Sequence, residues 1–431
     1  MTRTRARGTA VALVAVLVAA VTAAGVLGWF FLPRLLDRDA AAAPASTTSP
    51  GPSAGAELSK GDEPTAVVAW TAASDRVSGD VVGRTVRNLV RPTTAGSELR
   101  VGLSNVFGTK PVTFQSVQVG VSAGGAGLVP GSDAQVTFSG ARSVTVPPGS
   151  RVLSDPVDVA VTARSTLAVS VLAVGDPGAV TGHRLAQATS YVSEPGDATT
   201  DVTGAAYTGT TTSWFWVDSV VVDAPAEGTV VALGDSITDG NGSTPGNDSR
   251  WPDQLAARLA GAPGAPRLAV ANQGISGNRL LADGTGPSAL ARFDRDVLAV
   301  PGVRTVVVLE GINDIGSGLV TSADEVVAGY RQIIARAHAA DVCVVLGTLT
   351  PFEGARYWTA EREALREQVN AWIRTSGEAD AVVDFDAAVR DPGAPQRLLP
   401  AYDPGDHLHP NDAGYRAMAA AVDLDALTCE K

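Results

Sequence analysis

From Gly228 onward the chain alternates short runs that are apolar throughout with longer stretches whose apolar residues recur at helical spacing. A strand that is apolar on both faces must be covered on both, so this rhythm predicts a parallel sheet held between two layers of helices. The runs Thr229–Leu233, Arg267–Ala271, Arg304–Leu309, Val342–Gly347 and Ala381–Phe385 read as the strands of a five-stranded sheet. Pro252–Ala260, Pro287–Leu298, Ser322–Ala340, Thr359–Thr375 and Pro410–Leu427 read as helices. Sheets of this kind bind ligands beyond the carboxyl ends of their strands. The loops after these strands are therefore where chemistry is expected.

Residues 65–226 have another rhythm. Short Val/Thr/Ser runs such as "STLAVSVLAV" and "VTFQSVQVGVS" are broken by Gly, Pro and Asp about every ten residues, the pattern of an antiparallel β-sandwich. The expected organisation is an amino-terminal segment over 1–38, a linker over 39–64, an all-β domain over 65–226 and an α/β domain over 227–431. Arg3, Arg5 and Arg7 precede the apolar stretch Thr9–Leu32, which is long enough to span a bilayer, and Ala40–Ala43 offers small residues for a signal peptidase. Read as an uncleaved anchor or a cleaved signal, this segment keeps its basic end in the cytoplasm and exports the remainder of the chain. The Ala/Ser/Pro/Gly-rich linker cannot bury a core. With a net charge of −12 and little lysine, no basic stripe is available for nucleic acid, and a membrane is expected as a partner only through the amino-terminal segment.

Four polar, glycine-containing loops converge on the expected catalytic rim: "GDSITDG" with Ser236, "NQGISGN" (Asn272–Asn278), "EGINDIG" (Glu310–Gly316) and "DPGDHLHPNDAGY" (Asp403–Tyr415). Acyl transfer needs a nucleophile, a base, a group that orients the base, and donors for the oxyanion. Of the four histidines, His183 falls in the all-β region and His338 at the opposite rim, both expected to be structural. His407 and His409 remain. Asp406, three residues before His409, can reach its Nδ1–H and leave Nε2 to face Ser236. Ser236 also reads as a residue of a strand-ending turn. The cluster Asp403, Asp406, His407, His409 and Asp412 also reads as a solvated Asx-capped turn, or as a metal-ligand set, although its spacing matches no familiar pattern. Gly120–Gly124 fits G-x-S-x-G, but no helix comes after it, so it is a strand entering a glycine loop.

The four blocks, in this order and at these spacings, resemble those of the SGNH (GDSL) hydrolases over residues 229–427. The resemblance implies a three-layer α/β/α, flavodoxin-like fold and ester hydrolysis through a serine acyl-enzyme, with no cofactor and no metal. Carried over by position, Ser236 is the nucleophile, His409 the base and Asp406 its orienting carboxylate. The oxyanion donors are the N–H of Ser236, the N–H of Gly277 in preference to Gly274, and the side chain of Asn313. Asn278 and Arg279 are expected to touch substrate, and Asp314 to cap a helix.

The expected partner is a small acyl ester or an acylated glycan, with acetyl groups on polysaccharide foremost. The alternatives are a cell-wall glycan O-acyltransferase, a lipase or arylesterase, and a glycan-binding protein with an inert scaffold. Trp214 and Trp216 are expected to share one buried face of the sandwich, Trp251 to start a helix, and Phe352, Tyr357 and Trp358 to pack after the fourth strand. The same topology brings Cys429 near the start of the strand containing Cys343, so the pair can form a disulfide, worth about 4 kcal/mol if unstrained.

Overall fold

The computed structural model describes residues 64–429. The amino-terminal apolar segment and nearly all of the linker lie outside the described residues. Among the described residues no helix is long and apolar enough to cross a membrane.

In the all-β region, Thr65–Thr71, Val217–Ala224, Ser97–Ser104 and Arg151–Leu153 form one sheet in that spatial order. A second sheet runs from Tyr207–Thr211 through Ser190–Pro195, Arg84–Val90 and Leu167–Val174 to Val112–Gly124. These neighbours pair antiparallel. One core joins the two sheets, and Val101, Phe114, Val117, Val169, Trp216 and Val220 are among its fully buried members. Both tryptophans are buried in the sandwich core, as expected, but not by alternating along one strand. Trp216 adopts φ 60°, which breaks the strand between Phe215 and Val217, so Trp214, Phe215 and Trp216 are all buried instead of alternating.

The α/β region contains β1 (Gly228–Gly234), β2 (Leu268–Gly274), β3 (Val303–Leu309), β4 (Cys343–Gly347) and β5 (Ala381–Val383), all parallel, in the order β2-β1-β3-β4-β5. Its helices are α1 (Ser236–Asp239), α2 (Trp251–Gly261), α3 (Ala289–Phe293), α4 (Ile312–Gly316), α5 (Ala323–His338), α6 (Ala360–Thr375), α7 (Phe385–Val389) and α8 (Asp412–Ala421). α2, α7 and α8 pack together as one layer, α3, α5 and α6 as the other. Strand order reverses between β1 and β3, the switch point at which such sheets bind ligands. Gly234 lies in register with Gly274 of β2 and Leu309 of β3, so the three loops beyond them leave the sheet at one level.

Element ends account for the remaining differences. The helix expected over 287–298 is α3 continued by a wider π turn, Asp294–Leu298. Phe385 begins α7 instead of ending β5, with Asp384 as N-cap. The last helix stops at Ala421, where the Arg258 guanidinium takes up the Ala419 and Val422 carbonyls; a short 3₁₀ turn comes next at Asp425–Leu427. Cys343 and Cys429 are joined as a disulfide with Cα atoms 6.3 Å apart, at the amino end of β4 and away from the loops described above.

The two regions share a packed seam. β2 is an edge strand whose backbone would otherwise be open to pairing. The Thr93 hydroxyl bonds both the N–H and the carbonyl of Val270, at 3.1 Å each, and Gln273 Nε2 donates to Thr71 Oγ1 at 3.0 Å. Ala269 of β2 belongs to the sandwich core, while Val68 and Val221 of the sandwich belong to the α/β core.

Candidate active site

Ser236 opens α1 at the carboxyl end of β1. The preceding Asp235 is the N-cap, its Oδ1 accepting the N–H of Ile237 at 2.9 Å. The helix ends after four residues because Gly240 turns left-handed at φ 98°. α1 lies directly on the end of β2: a Cβ on Gly274 would sit 2.2 Å from the Asp239 nitrogen. Gly274 is thus a close-packing glycine.

The loop before α8 brings His409 to Ser236. Asp406 Oδ1 accepts the backbone N–H groups of Leu408 and His409 at 3.0 Å each, and Oδ2 accepts from His409 Nδ1 at 2.6 Å. His409 Nε2 lies 2.8 Å from Ser236 Oγ, both residues nearly buried. With the Nδ1 proton held by Asp406, Nε2 is the acceptor for the serine O–H. Burial would raise the Asp406 carboxyl, but the hydrogen bonds from the His409 ring and from both N–H groups outweigh it and hold the group well below the usual carboxylate range. His407 forms a separate pair with Asp403, 2.5 Å apart and half exposed, and Asp412 accepts the N–H of Thr244 at 2.7 Å. Of the acidic cluster, only Asp406 reaches His409.

The second loop turns at Ile275–Asn278, closed by Asn278 N–H to the Ile275 carbonyl at 2.9 Å. Its third residue needs a positive φ, and Gly277 supplies 79°. Asn313, in the first turn of α4, donates from Nδ2 to the Asn278 carbonyl at 2.8 Å; the same nitrogen lies 3.4 Å from Asp235 Oδ2. One amide hydrogen is therefore firmly held and the other only weakly. The expectation for Asn278 is corrected: its side chain is fully buried, donating to the Thr285 and Pro287 carbonyls at 2.8 Å each and accepting from Arg292. Only its backbone carbonyl serves the site. Arg279 is half-buried, close to Gly284. Asp314 does not merely cap: its carboxylate receives the N–H groups of Leu280 and Leu281 at 2.8 and 2.9 Å.

Several functional neighbours escaped the sequence. Arg292, with a fully buried side chain, donates to the carbonyls of Gly234 (3.0 Å) and Gln273 (2.7 Å), to Asn278 Oδ1 (3.0 Å), and to Asp296 and Glu310. One guanidinium thereby ties together the ends of β1 and β2 and the loop after β3. Its signal was an arginine in register with the apolar face of its helix, spaced i,i+4 from Asp296. Asn241 Nδ2 lies 3.4 Å from His409 Nε2, and its carbonyl accepts the Tyr415 hydroxyl at 2.5 Å. Burial, reinforced by the charges of Asp314 and Asp239, pushes the Asp235 carboxyl up to about 7 despite the Ile237 N–H and the nearby His409. Burial and Asp235 likewise raise Glu310 well above its ordinary value, against the pull of Arg292. Beside the site, Ile312, Phe352, Ala355 and Leu408 form a small apolar cluster joined by Tyr357 and Trp358.

Residues 232–417 match the model of the GDSL-like Lipase/Acylhydrolase family. Among solved structures, the chain is similar to a GDSL-like lipase from Bacteroides thetaiotaomicron, with 22% identity, 45% of this chain and 85% of that one covered, and a TM-score of 0.35. It is also similar to a catalytic mutant of the acetylxylan esterase Axe2 from Geobacillus stearothermophilus, at 24% identity, 46% and 92% coverage, and a TM-score of 0.35. A third is LAE5, an alpha/beta hydrolase enzyme from the metagenome of Lake Arreo, Spain, at 26% identity, 48% and 97% coverage, and a TM-score of 0.36. No curated protein sequence matches the chain. Residues 232–417 thus form a GDSL-like lipase/acylhydrolase domain, a carboxylic ester hydrolase domain.

Proposed function

We propose that the chain is an exported serine esterase that removes short acyl groups, acetyl foremost, from hydroxyls of carbohydrate, with Ser236, His409 and Asp406 as its triad. The observation that carries this reading is the unbroken relay from Ser236 Oγ to His409 Nε2 (2.8 Å) and from His409 Nδ1 to Asp406 Oδ2 (2.6 Å). In the first step Ser236 Oγ attacks the ester carbonyl while its proton passes to His409 Nε2. Asp406 stabilises the imidazolium that forms. The oxyanion is held by the N–H groups of Ser236 and Gly277 and by the weakly engaged hydrogen of Asn313 Nδ2. Collapse releases the alcohol, which takes the proton from His409, and leaves an acyl-serine. Water then attacks that ester, with His409 again as base, and the acid departs.

The preference for short acyl groups is supported by the apolar cluster beside the site. Phe352 is fully buried and Ile312, the sequence neighbour of Asn313, nearly so, in one cluster with Leu408, the sequence neighbour of His409. That wall suits a methyl group better than a long chain. Export is supported by the basic residues preceding Thr9–Leu32.

The test measures acid release by the full chain from p-nitrophenyl esters of increasing chain length, beside Ser236→Ala. The expected result is highest kcat/KM with acetate and a loss of about 10,000-fold or more in Ser236→Ala. Full activity in Ser236→Ala, or no activity in the unaltered protein on any ester or acetylated glycan, would overturn the reading.

A further inference from the structure

A second histidine–aspartate pair meets α1 at its other end. His183, on the strand Val180–His183 of the all-β region, is nearly buried, and its Nε2 lies 2.9 Å from Asp239 Oδ1. Asp239 is the last residue of the helix that Ser236 begins. Its other oxygen, Oδ2, accepts both the N–H (2.8 Å) and the hydroxyl (2.7 Å) of Ser276, the residue before Gly277. The ring is anchored in its own region, because Nδ1 lies 2.8 Å from the Ala73 carbonyl, while Nε2 is also 3.1 Å from the Leu185 carbonyl. Both nitrogens thus face only oxygen acceptors. A neutral imidazole has one N–H and would turn a lone pair against one of these oxygens; the imidazolium satisfies both. Burial alone would lower the pKa of His183, but the charge and hydrogen bond of Asp239, with the Ala73 carbonyl, raise it above the ordinary histidine value.

We infer that His183 is a positioning residue for the oxyanion hole: through Asp239 and Ser276 it fixes the Gly277 N–H relative to Ser236, so the all-β region completes the esterase site. The inference rests on the proposed roles of Ser236 and Gly277. It gives the sandwich a part in the chemistry that no residue of its own performs. The path is short and without free joints. Gly274 leaves no gap between α1 and β2, and Asp239 is locked from both sides, so losing the His183 contact frees the carboxylate to rotate away from Ser276. A displaced donor weakens transition-state stabilisation without removing any part of the ground-state binding surface.

The test compares the full chain with His183→Ala, His183→Gln, His183→Asn and Ser276→Ala on p-nitrophenyl acetate. A glutamine amide nitrogen falls where Nε2 stood and restores the donor to Asp239. An asparagine nitrogen falls where Nδ1 stood and restores only the Ala73 contact. The expected result is a fall in kcat of about 10- to 100-fold in His183→Ala with KM changed less than about threefold, most of it recovered by Gln and not by Asn. Ser276→Ala should lose kcat in the same way, and the His183→Ala/Ser276→Ala double variant should be little worse than the poorer single one. An unchanged kcat in a folded His183→Ala, a rise in KM at constant kcat, or equal rescue by Asn and Gln would each overturn the inference. If His183→Ala does not fold, Ser276→Ala and the Gln–Asn contrast decide alone. Labelling by a fluorophosphonate, read by intact mass, separates this inference from the one beneath it. Wild type and His183→Gln label while Ser236→Ala does not if the triad is right; if the wild type does not label, both fall.

Discussion

The two regions of this molecule draw on similar residues, rich in Val, Ala, Thr and Gly, and use their polar side chains in opposite ways. In the α/β region the strands are apolar, and Ser236, Asn313 and His409 sit just beyond their carboxyl ends, the first two in short helices and His409 on a loop. In the all-β region, away from the seam, polar side chains such as Arg87 and Asn88 are buried within the sheets and bonded to neighbours there. Arg87 is fully buried and donates to the carbonyls of Ala126, Thr199 and Asp201 and to the Ser170 hydroxyl. Asn88 spans the core to the backbone of Phe215. Polar residues at strand ends are free to react, whereas those inside a sheet hold shape. The two histidine–aspartate pairs that meet α1 at its two ends sharpen the contrast. His409 keeps one nitrogen open for a proton, and His183 has both nitrogens engaged.

The largest effect that tests this division is expected at Asp406. In Asp406→Asn the amide oxygen stays with the Leu408 and His409 N–H groups, so the NH2 faces His409 Nδ1 and selects the wrong tautomer, and kcat for p-nitrophenyl acetate should fall about 10,000-fold with a melting temperature near that of wild type. A loss below tenfold would mean that the loop holds His409 without the carboxylate. Next in size is Asn313→Ala, which removes one oxyanion donor and should cost about 100- to 1,000-fold in kcat, with KM little changed. A KM effect of that size instead would assign Asn313 to substrate binding.

How much of this was legible obeys the same division. The five parallel strands could be read because buried parallel strands are apolar throughout, and the four loops because each motif is contiguous and ends a strand. The turn that needs Gly277 was legible for the same local reason. Contacts set by the seam were not. His183 lies 56 residues from Asp239, and nothing local marks it as other than a buried histidine. Asn278 was misplaced because neighbouring Gly277 in sequence does not say which atoms face the rim; its amide is committed to Thr285 and Pro287. The end of α8 was missed because it is set by Arg258, from another helix.

A smaller effect, on stability alone, is expected in the sandwich. Arg87→Leu leaves several buried carbonyls without donors, and should cost about 3 kcal/mol, or about 5–10 °C in melting temperature. Its kcat should stay within about twofold of wild type, since none of its partners touches α1 or the loops around it. Calorimetry and ester kinetics on one preparation would decide this. A large kcat loss in folded Arg87→Leu would mean that the sandwich acts on the site as a whole and not through His183.

The last effect concerns Asp235, the buried carboxyl beneath the site, and it depends on pH. Its folded pKa, pushed up to about 7 by burial, lies above the ordinary aspartate value of 3.8. Between those values the folded state holds a proton that the unfolded state has released, so this group's contribution to stability falls as pH rises across the window and levels off above it. Asp235→Asn cannot ionise and keeps an oxygen for the Ile237 N–H that starts α1. Its melting temperature relative to wild type should therefore climb between about pH 4 and pH 7 and then hold steady. A difference that shrinks with rising pH would mean that the ionised carboxylate is the stabilised form. Asp235 would then resemble Asp406, a carboxylate held in its charged state by its donors, and the α/β region would keep negative charge under its own oxyanion site.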